Sequence, residues 1–176
     1  MKKMILAFLM VFSAGMVWAD EAATPTTYTL KAMCTLSPAS DSQTKGWVKF
    51  TQVGNYVLVE GEITGLTPGK HGFHVHEKGD CSAPDAVSAG GHFNPEHKTH
   101  GSPSSKTRHV GDLGNIKADK NGNAKFKFKD KVVQLSGEDS ILDKALILHA
   151  DMDDMKTQPT GNAGKRVACG VIELMK

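Results

Sequence analysis

Seven of the chain's eight histidines lie between His71 and Asp112, and their spacing dictates what scaffold can carry them. His74 and His76 stand one residue apart in the run GFHVHE. On a strand both would leave the same face, with Cβ atoms roughly 7 Å apart and Val75 turned the other way. His92, His100 and His109 follow at intervals of eight and nine residues rich in Gly, Pro, Ser and Lys, which suits a folded-back loop and not a helix. Such a chain needs a sheet to present the first pair and a long ordered loop to bring the others back to it. Asp112 adds an anionic oxygen three residues after His109, and the eighth histidine, His149, ends a later strand-like run. Three imidazoles and a carboxylate make a four-coordinate set that zinc accepts, whereas imidazoles alone, open to solvent, suit copper. The pattern is metal chemistry with room for two ions. His71 and His97 look like bystanders, the first a hydrogen-bonded strand or turn residue and the second solvated.

The rest of the chain supports a sheet. Tyr28 to Leu36, Gly46 to Gln52 and Tyr56 to Ile63 carry β-branched or aromatic residues with turn-formers between them, and helical periodicity is missing. Around Asn121-Gly122 a strand pair is expected, with Ala124, Phe126 and Phe128 alternating against Lys125, Lys127 and Lys129 to give one buried and one solvated face. Lys144 to Ala150 and Val167 to Leu174 supply two more strands. The expected fold class is all-β, an eight-stranded Greek-key sandwich or flattened barrel with two long functional loops, about Gly79 to Gly111 and Asp151 to Lys165.

Residues 1–19 combine Lys2 and Lys3, an apolar run from Met4 to about Val17 and a Val17-Trp18-Ala19 end, the pattern of a signal peptide. The run is short of the ~18 residues a membrane span usually needs. We therefore expect a leader at 1–19, a short lead at 20–28 and one β domain at 29–176. Without the two leader lysines the basic residues match the 19 acidic ones, so the formal charge falls from +2 to zero. That balance argues against a nucleic-acid partner, and none is expected, nor a membrane once the leader is gone.

The segments GFHVHEKGDC, SAGGHFNP, RHVGDLGN and TGNAGKRVACGV resemble the copper-zinc superoxide dismutase family, in order, from about Thr29 to the C-terminus. The resemblance implies copper ligands His74, His76, His92 and His149 and zinc ligands His92, His100, His109 and Asp112, with His92 bridging the two metals. It implies an anion-guiding Arg166, a proton-supplying His92, and Asp153 linking a copper histidine to a zinc histidine. It also implies a disulfide between Cys81 and Cys169 and places Thr160 at the mouth of the copper channel. Cys34 is then left over as a small buried hydrophobe of the first strand. Cys81 lies five residues after His76, similar to the bacterial periplasmic branch, and with the leader this favours a periplasmic or secreted protein.

The implied reaction converts two superoxide anions and two protons to dioxygen and hydrogen peroxide, copper cycling between Cu(II) and Cu(I) while zinc stays structural. From His149 to Arg166 the chain is about six residues shorter than the eukaryotic pattern, and the charged residues that steer superoxide there are not evident, Lys156 and Lys165 being the remaining candidates. A non-catalytic metal carrier would be expected to lack Arg166 or a copper ligand. A sandwich stapled by zinc alone would need neither the His74-His76 pair nor His149. The resemblance fits either a monomer or a homodimer.

Overall fold

Alternation along the first strand sets the architecture. In β1 (Lys31–Pro38) Ala32, Cys34 and Leu36 are buried. In β2 (Lys45–Val53) Val48 and Phe50 are buried, and in β3 (Tyr56–Thr64) Val57, Val59 and Ile63. Period-two burial of this kind gives each strand one inward face. The strands that follow are β4 (Gly69–His76), β5 (Asp112–Ala118), β6 (Ala124–Asp130), β7 (Ala145–His149) and β8 (Arg166–Leu174). The computed structural model describes residues 29–176, and the expected leader at 1–19 and lead at 20–28 lie outside the described residues.

The eight strands form one all-antiparallel sheet in the order β5-β4-β7-β8-β1-β2-β3-β6. The sheet curls into a nearly closed barrel around one apolar core, the all-β architecture expected from the sequence. β4 from His71 onward and all of β7 are buried on both faces. Phe73 and Val75 point into the core, and the opposite face, with His74 and His76, lies beneath the two long loops. One loop joins β4 to β5 and contains only a single 3-10 turn, Val87–Ala89; the other joins β7 to β8.

Two features differ from the sequence expectation. The turn at Asn121-Gly122 joins β5 to β6, but these two are not a ladder pair: β5 pairs with β4, and β6 with β3, at opposite ends of the strand order. The connection between β3 and β4 holds them apart, because the Leu66 N–H donates to Gly122 O (3.2 Å) and Leu66 reaches the core. Gly122 has φ +78, and a Cβ there would stand 2.3 Å from Leu66 O, so both the turn and the contact require glycine. The barrel interior is closed at this seam by side chains, Phe73 of β4 meeting Phe126 of β6 edge-on at 5.4 Å between ring centroids. Phe126 and Phe128 are accordingly half-buried, while Lys125, Lys127 and Lys129 are exposed as expected.

The second difference is a third long connection, residues 131–144 between β6 and β7. It buries Val133, Leu135 and Ile141 completely or nearly so and is part of the core.

Candidate metal centre

Three adjacent strands bring the distant ligands together. In the β4 ladders His74 stands opposite Asp112 of β5 on one side and Ile147 of β7 on the other. Register shifts lie at Gly72/His74 in the first ladder and at Leu148/His149 between β7 and β8. Bulges of this kind re-aim side chains at the end of a strand. Gly72 leaves the space: a Cβ there would lie 2.8 Å from the Ala163 Cβ and 3.1 Å from His74 Cε1. The β4–β5 loop is tied over β4 through Val75, whose N–H donates to Gly111 O (2.9 Å) and whose carbonyl accepts from Phe93 N–H (2.8 Å).

Among the described residues two groups of side chains could each hold a metal ion: His74, His76, His92 and His149, and His92, His100, His109 and Asp112. Within each group the candidate ligand atoms lie within 4.8 Å of one another, and every member is buried. His92 belongs to both. Its Nδ1 is 2.8 Å from Asp112 Oδ1, whereas Nε2 has no hydrogen-bond partner.

Four other histidines have one ring nitrogen fixed by an acceptor and the other left without a partner. His74 Nε2–H donates to Asp153 Oδ2 (2.9 Å), His76 Nδ1–H to Gly90 O (2.9 Å), His149 Nδ1–H to Gly164 O (3.2 Å) and His100 Nε2–H to Asp153 Oδ1 (2.9 Å). The opposite nitrogens, His74 Nδ1, His76 Nε2, His149 Nε2 and His100 Nδ1, are buried and make no hydrogen bond. His100 Nδ1 and Asp112 Oδ1 approach to 3.0 Å without bonding geometry, as two electron-pair donors do around one cation. Buried polar atoms are almost always paired. A cluster of orphaned imidazole nitrogens fits metal ions, since each ring offers a neutral lone pair and its other N–H fixes its orientation.

The electrostatics agree with neutral rings on one side of His92. Burial, then the neighbouring histidines, holds His76 well below the usual range. His149 is pushed down to about 3, by burial first and then by His74. His92 falls to about 4 because burial outweighs the opposing hydrogen bond to Asp112. On the other side burial is the largest influence on His100, yet the nearby Asp112 carboxylate and the hydrogen bond to Asp153 outweigh it and raise the ring to about 9. Despite burial, Asp112 and Asp153 stay well below the usual carboxylate range, because histidines face both.

Arg166 opens β8 directly opposite His149. It is half-buried, and its guanidinium donates to Ala86 O through Nη1 (2.6 Å) and to Gly90 O through Nη2 (2.7 Å). Gly90 O thus accepts from both His76 and Arg166. Ala86 holds a left-handed conformation at φ 57 and is fully buried. Cys81 and Cys169 form a disulfide with a Cα–Cα distance of 5.8 Å, which ties the segment before Ala86 to β8. Asp153 is placed by Asn115 of β5, whose side-chain amide donates to Asp153 O (2.9 Å) and accepts from Asp153 N–H (2.8 Å).

The remaining sequence candidates lie outside both groups. His71 is buried with Nδ1 on His149 O (2.9 Å) and Nε2 on Thr67 O (2.8 Å), and His97 is exposed. Thr160 is half-buried in the β7–β8 loop, and Cys34 is fully buried, which pushes its thiol up. Asn115, Ala86 and Gly90 were not singled out by sequence. Gly90 and Ala86 act through backbone carbonyls, which every residue has, and only the Gly90-Gly91 pair beside His92 hinted at a tight backbone approach there.

Comparison with known proteins is consistent along the chain. The family model described as copper/zinc superoxide dismutase matches residues 44–172. An extracellular Cu-Zn superoxide dismutase of Haemonchus contortus is 42% identical over 163 residues, covering 89% of this chain and 87% of that protein. Cu-Zn superoxide dismutase A of Xenopus laevis is 48% identical over 150 residues, covering 81% of this chain and 97% of its own. A solved structure of the clock protein EA4 superposes with a TM-score of 0.76 at 46% identity, over 82% of this chain and 94% of that one. With a family model spanning most of the described residues and relatives matched over most of both lengths, the chain belongs to the copper/zinc superoxide dismutase family.

Proposed function

We propose that the protein is an exported superoxide dismutase in which His74, His76, His92 and His149 hold copper and His92, His100, His109 and Asp112 hold zinc. The observation that carries this assignment is His92, shared by both ligand groups with one nitrogen toward Asp112 and the other unpartnered. Copper supplies a one-electron couple between Cu(II) and Cu(I), and zinc a fixed, redox-silent charge. Overall, two superoxide anions and two protons become dioxygen and hydrogen peroxide.

The chain's own residues bind, orient and supply protons. Asp153 accepts from both His74 and His100, so one carboxylate fixes the ring of a ligand in each group. Arg166 uses two of its five N–H donors on the carbonyls of Ala86 and Gly90, which leaves three to hold a small anion. When its Nε2 is not engaged by copper, His92 would take up a proton there and pass it to the departing peroxide. Burial opposes a second proton on His92, so near neutral pH the ring is not the cation that could bind no metal.

Export rests on the leader-like residues 1–19, on the Cys81–Cys169 disulfide, which belongs to oxidising compartments, and on extracellular relatives such as that of Haemonchus contortus. The spacing of Cys81 from His76 favours the periplasm. The zero formal charge expected of the chain without its leader supports the absence of a nucleic-acid partner. The test is elemental analysis of the purified protein with a dismutation assay on the same sample. About one copper and one zinc per chain is expected, with activity that disappears on chelation and returns with copper; zinc alone and no activity after copper loading would overturn the proposal.

A further inference from the structure

His100 belongs by sequence to the β4–β5 loop, yet the grip on it comes largely from the other loop. It is buried and lies in no regular element, so its backbone N–H and C=O have no strand partner. Buried backbone groups must find partners. Both find the same side chain: the His100 N–H donates to Gln158 Oε1 (2.8 Å), and Gln158 Nε2–H donates to His100 O (2.9 Å). From the same loop Asp153 holds the His100 ring (2.9 Å). Gly161, at φ +68, permits this closeness, since a Cβ there would stand 2.7 Å from His100 Nε2.

We infer that Gln158 is a positioning residue for the zinc-side group, clasping the backbone of His100 so that its Nδ1 stays aimed beside Asp112. The inference rests on the proposed assignment of zinc to His92, His100, His109 and Asp112. A primary amide suits the task because its acceptor and donor match the donor and acceptor of a peptide group. Glutamate would keep the acceptor and lose the donor, and asparagine is one methylene too short. Gln158 is itself held in place. Its Nε2 also reaches Lys156 O (3.2 Å), and the turn carrying it is closed by Asp154, which accepts from Lys156 N–H (2.9 Å) and Thr157 N–H (2.8 Å). Gly161 N–H then donates to Thr157 O (2.7 Å). The β7–β8 loop thus reaches the zinc-side group at two points, the ring through Asp153 and the backbone through Gln158.

The test compares zinc retention by the holoenzyme and its Gln158 variants against a graded series of chelator, with the visible spectrum of the cobalt(II)-substituted site as a second readout. Gln158→Ala should release zinc at roughly ten- to a hundredfold lower chelator strength, the range expected when a partner behind a ligand is removed, and should shift the cobalt bands. Gln158→Glu should fall between the two, because it still accepts from the His100 N–H. Wild-type zinc retention and cobalt bands in Gln158→Ala, even with a lower unfolding midpoint, would show a purely structural side chain and overturn the inference. A wild-type protein that retains no zinc and gives no tetrahedral cobalt spectrum would overturn the underlying assignment as well.

Discussion

A histidine can offer a lone pair only from a nitrogen without a proton, so what touches its other nitrogen decides how it serves. His149 is oriented by Gly164 O and lies only in the first ligand group. His149→Ala should therefore abolish copper binding and dismutation while zinc stays near one per chain, a result read by elemental analysis and assay together. Arg166 hydrogen-bonds to none of the proposed ligand side chains but shares the Gly90 carbonyl with His76. Arg166→Ala should keep both metals and lower the rate by about tenfold or more. Focusing of charged substrates, for which superoxide dismutases are a standing example, changes encounter rates by roughly ten to a thousandfold. Arg166→Lys should recover only part of the loss, because an ammonium cannot serve two carbonyls and an anion with the same planar fork. At this scale the sequence was most legible where residue type carries the chemistry, as in His74-Val75-His76 and Asp112. It was silent where a carbonyl or an amide does the work, as with Gly90, Asn115 and Gln158, since those groups occur everywhere in a chain.

Strands and loops divide differently from what turn chemistry alone implies. Asn121-Gly122 is a strong hairpin signal, and the turn does close, Asp119 N–H donating to Asn123 O (2.8 Å), yet beyond it β5 and β6 part as facing edges with Leu66 bonded to Gly122 O between them. The local rule failed because the competing partner comes from a connection more than fifty residues away in sequence. Those two edges carry Lys117, Lys125, Lys127 and Lys129, charges that discourage pairing with another chain. The 131–144 connection was illegible for a related reason: Val133, Leu135 and Ile141 make no alternating run, and only the fold shows that they fill the core. The β4–β5 loop is attached to the barrel covalently as well as through its ligands. Cys81→Ser would open a cross-link between residues 88 apart, and loops of that size correspond to about 4.6 kcal/mol. Denaturant unfolding should show a loss of that order. The rate should fall too, because the segment presenting Ala86 and Gly90 to Arg166 is then freed at one end.

For the molecule as a whole, the metal-free chain should be most stable near pH 6.5. Unfolded, its histidines take up protons near that value, whereas in the folded chain His149 is held near 3 and His92 near 4. Between about 4 and 6.5 the unfolded state binds more protons, so stability falls as the pH drops through that window. His100 runs the other way: raised to about 9, it contributes below 6.5 and loses that contribution as the pH climbs to 9. Urea midpoints of the chelated protein at pH 4.5, 6.5 and 9 should therefore be highest in the middle, and a monotonic series would contradict the charge assignments. Metal loading should raise all three, since binding to the folded state alone adds directly to its stability.

The seam between β5 and β6 has one more consequence. On one side of the strand order, β5, β4, β7 and β8 carry Asp112, His74, His76, His149 and Arg166; on the other, β1, β2, β3 and β6 carry none of the proposed ligands. Chemistry and much of the outer surface are thereby carried by different strands. The exposed faces of β2, β3 and β6 form a region where a lineage, or an engineer, can rewrite charge, solubility or attachment to a carrier without renegotiating the metals.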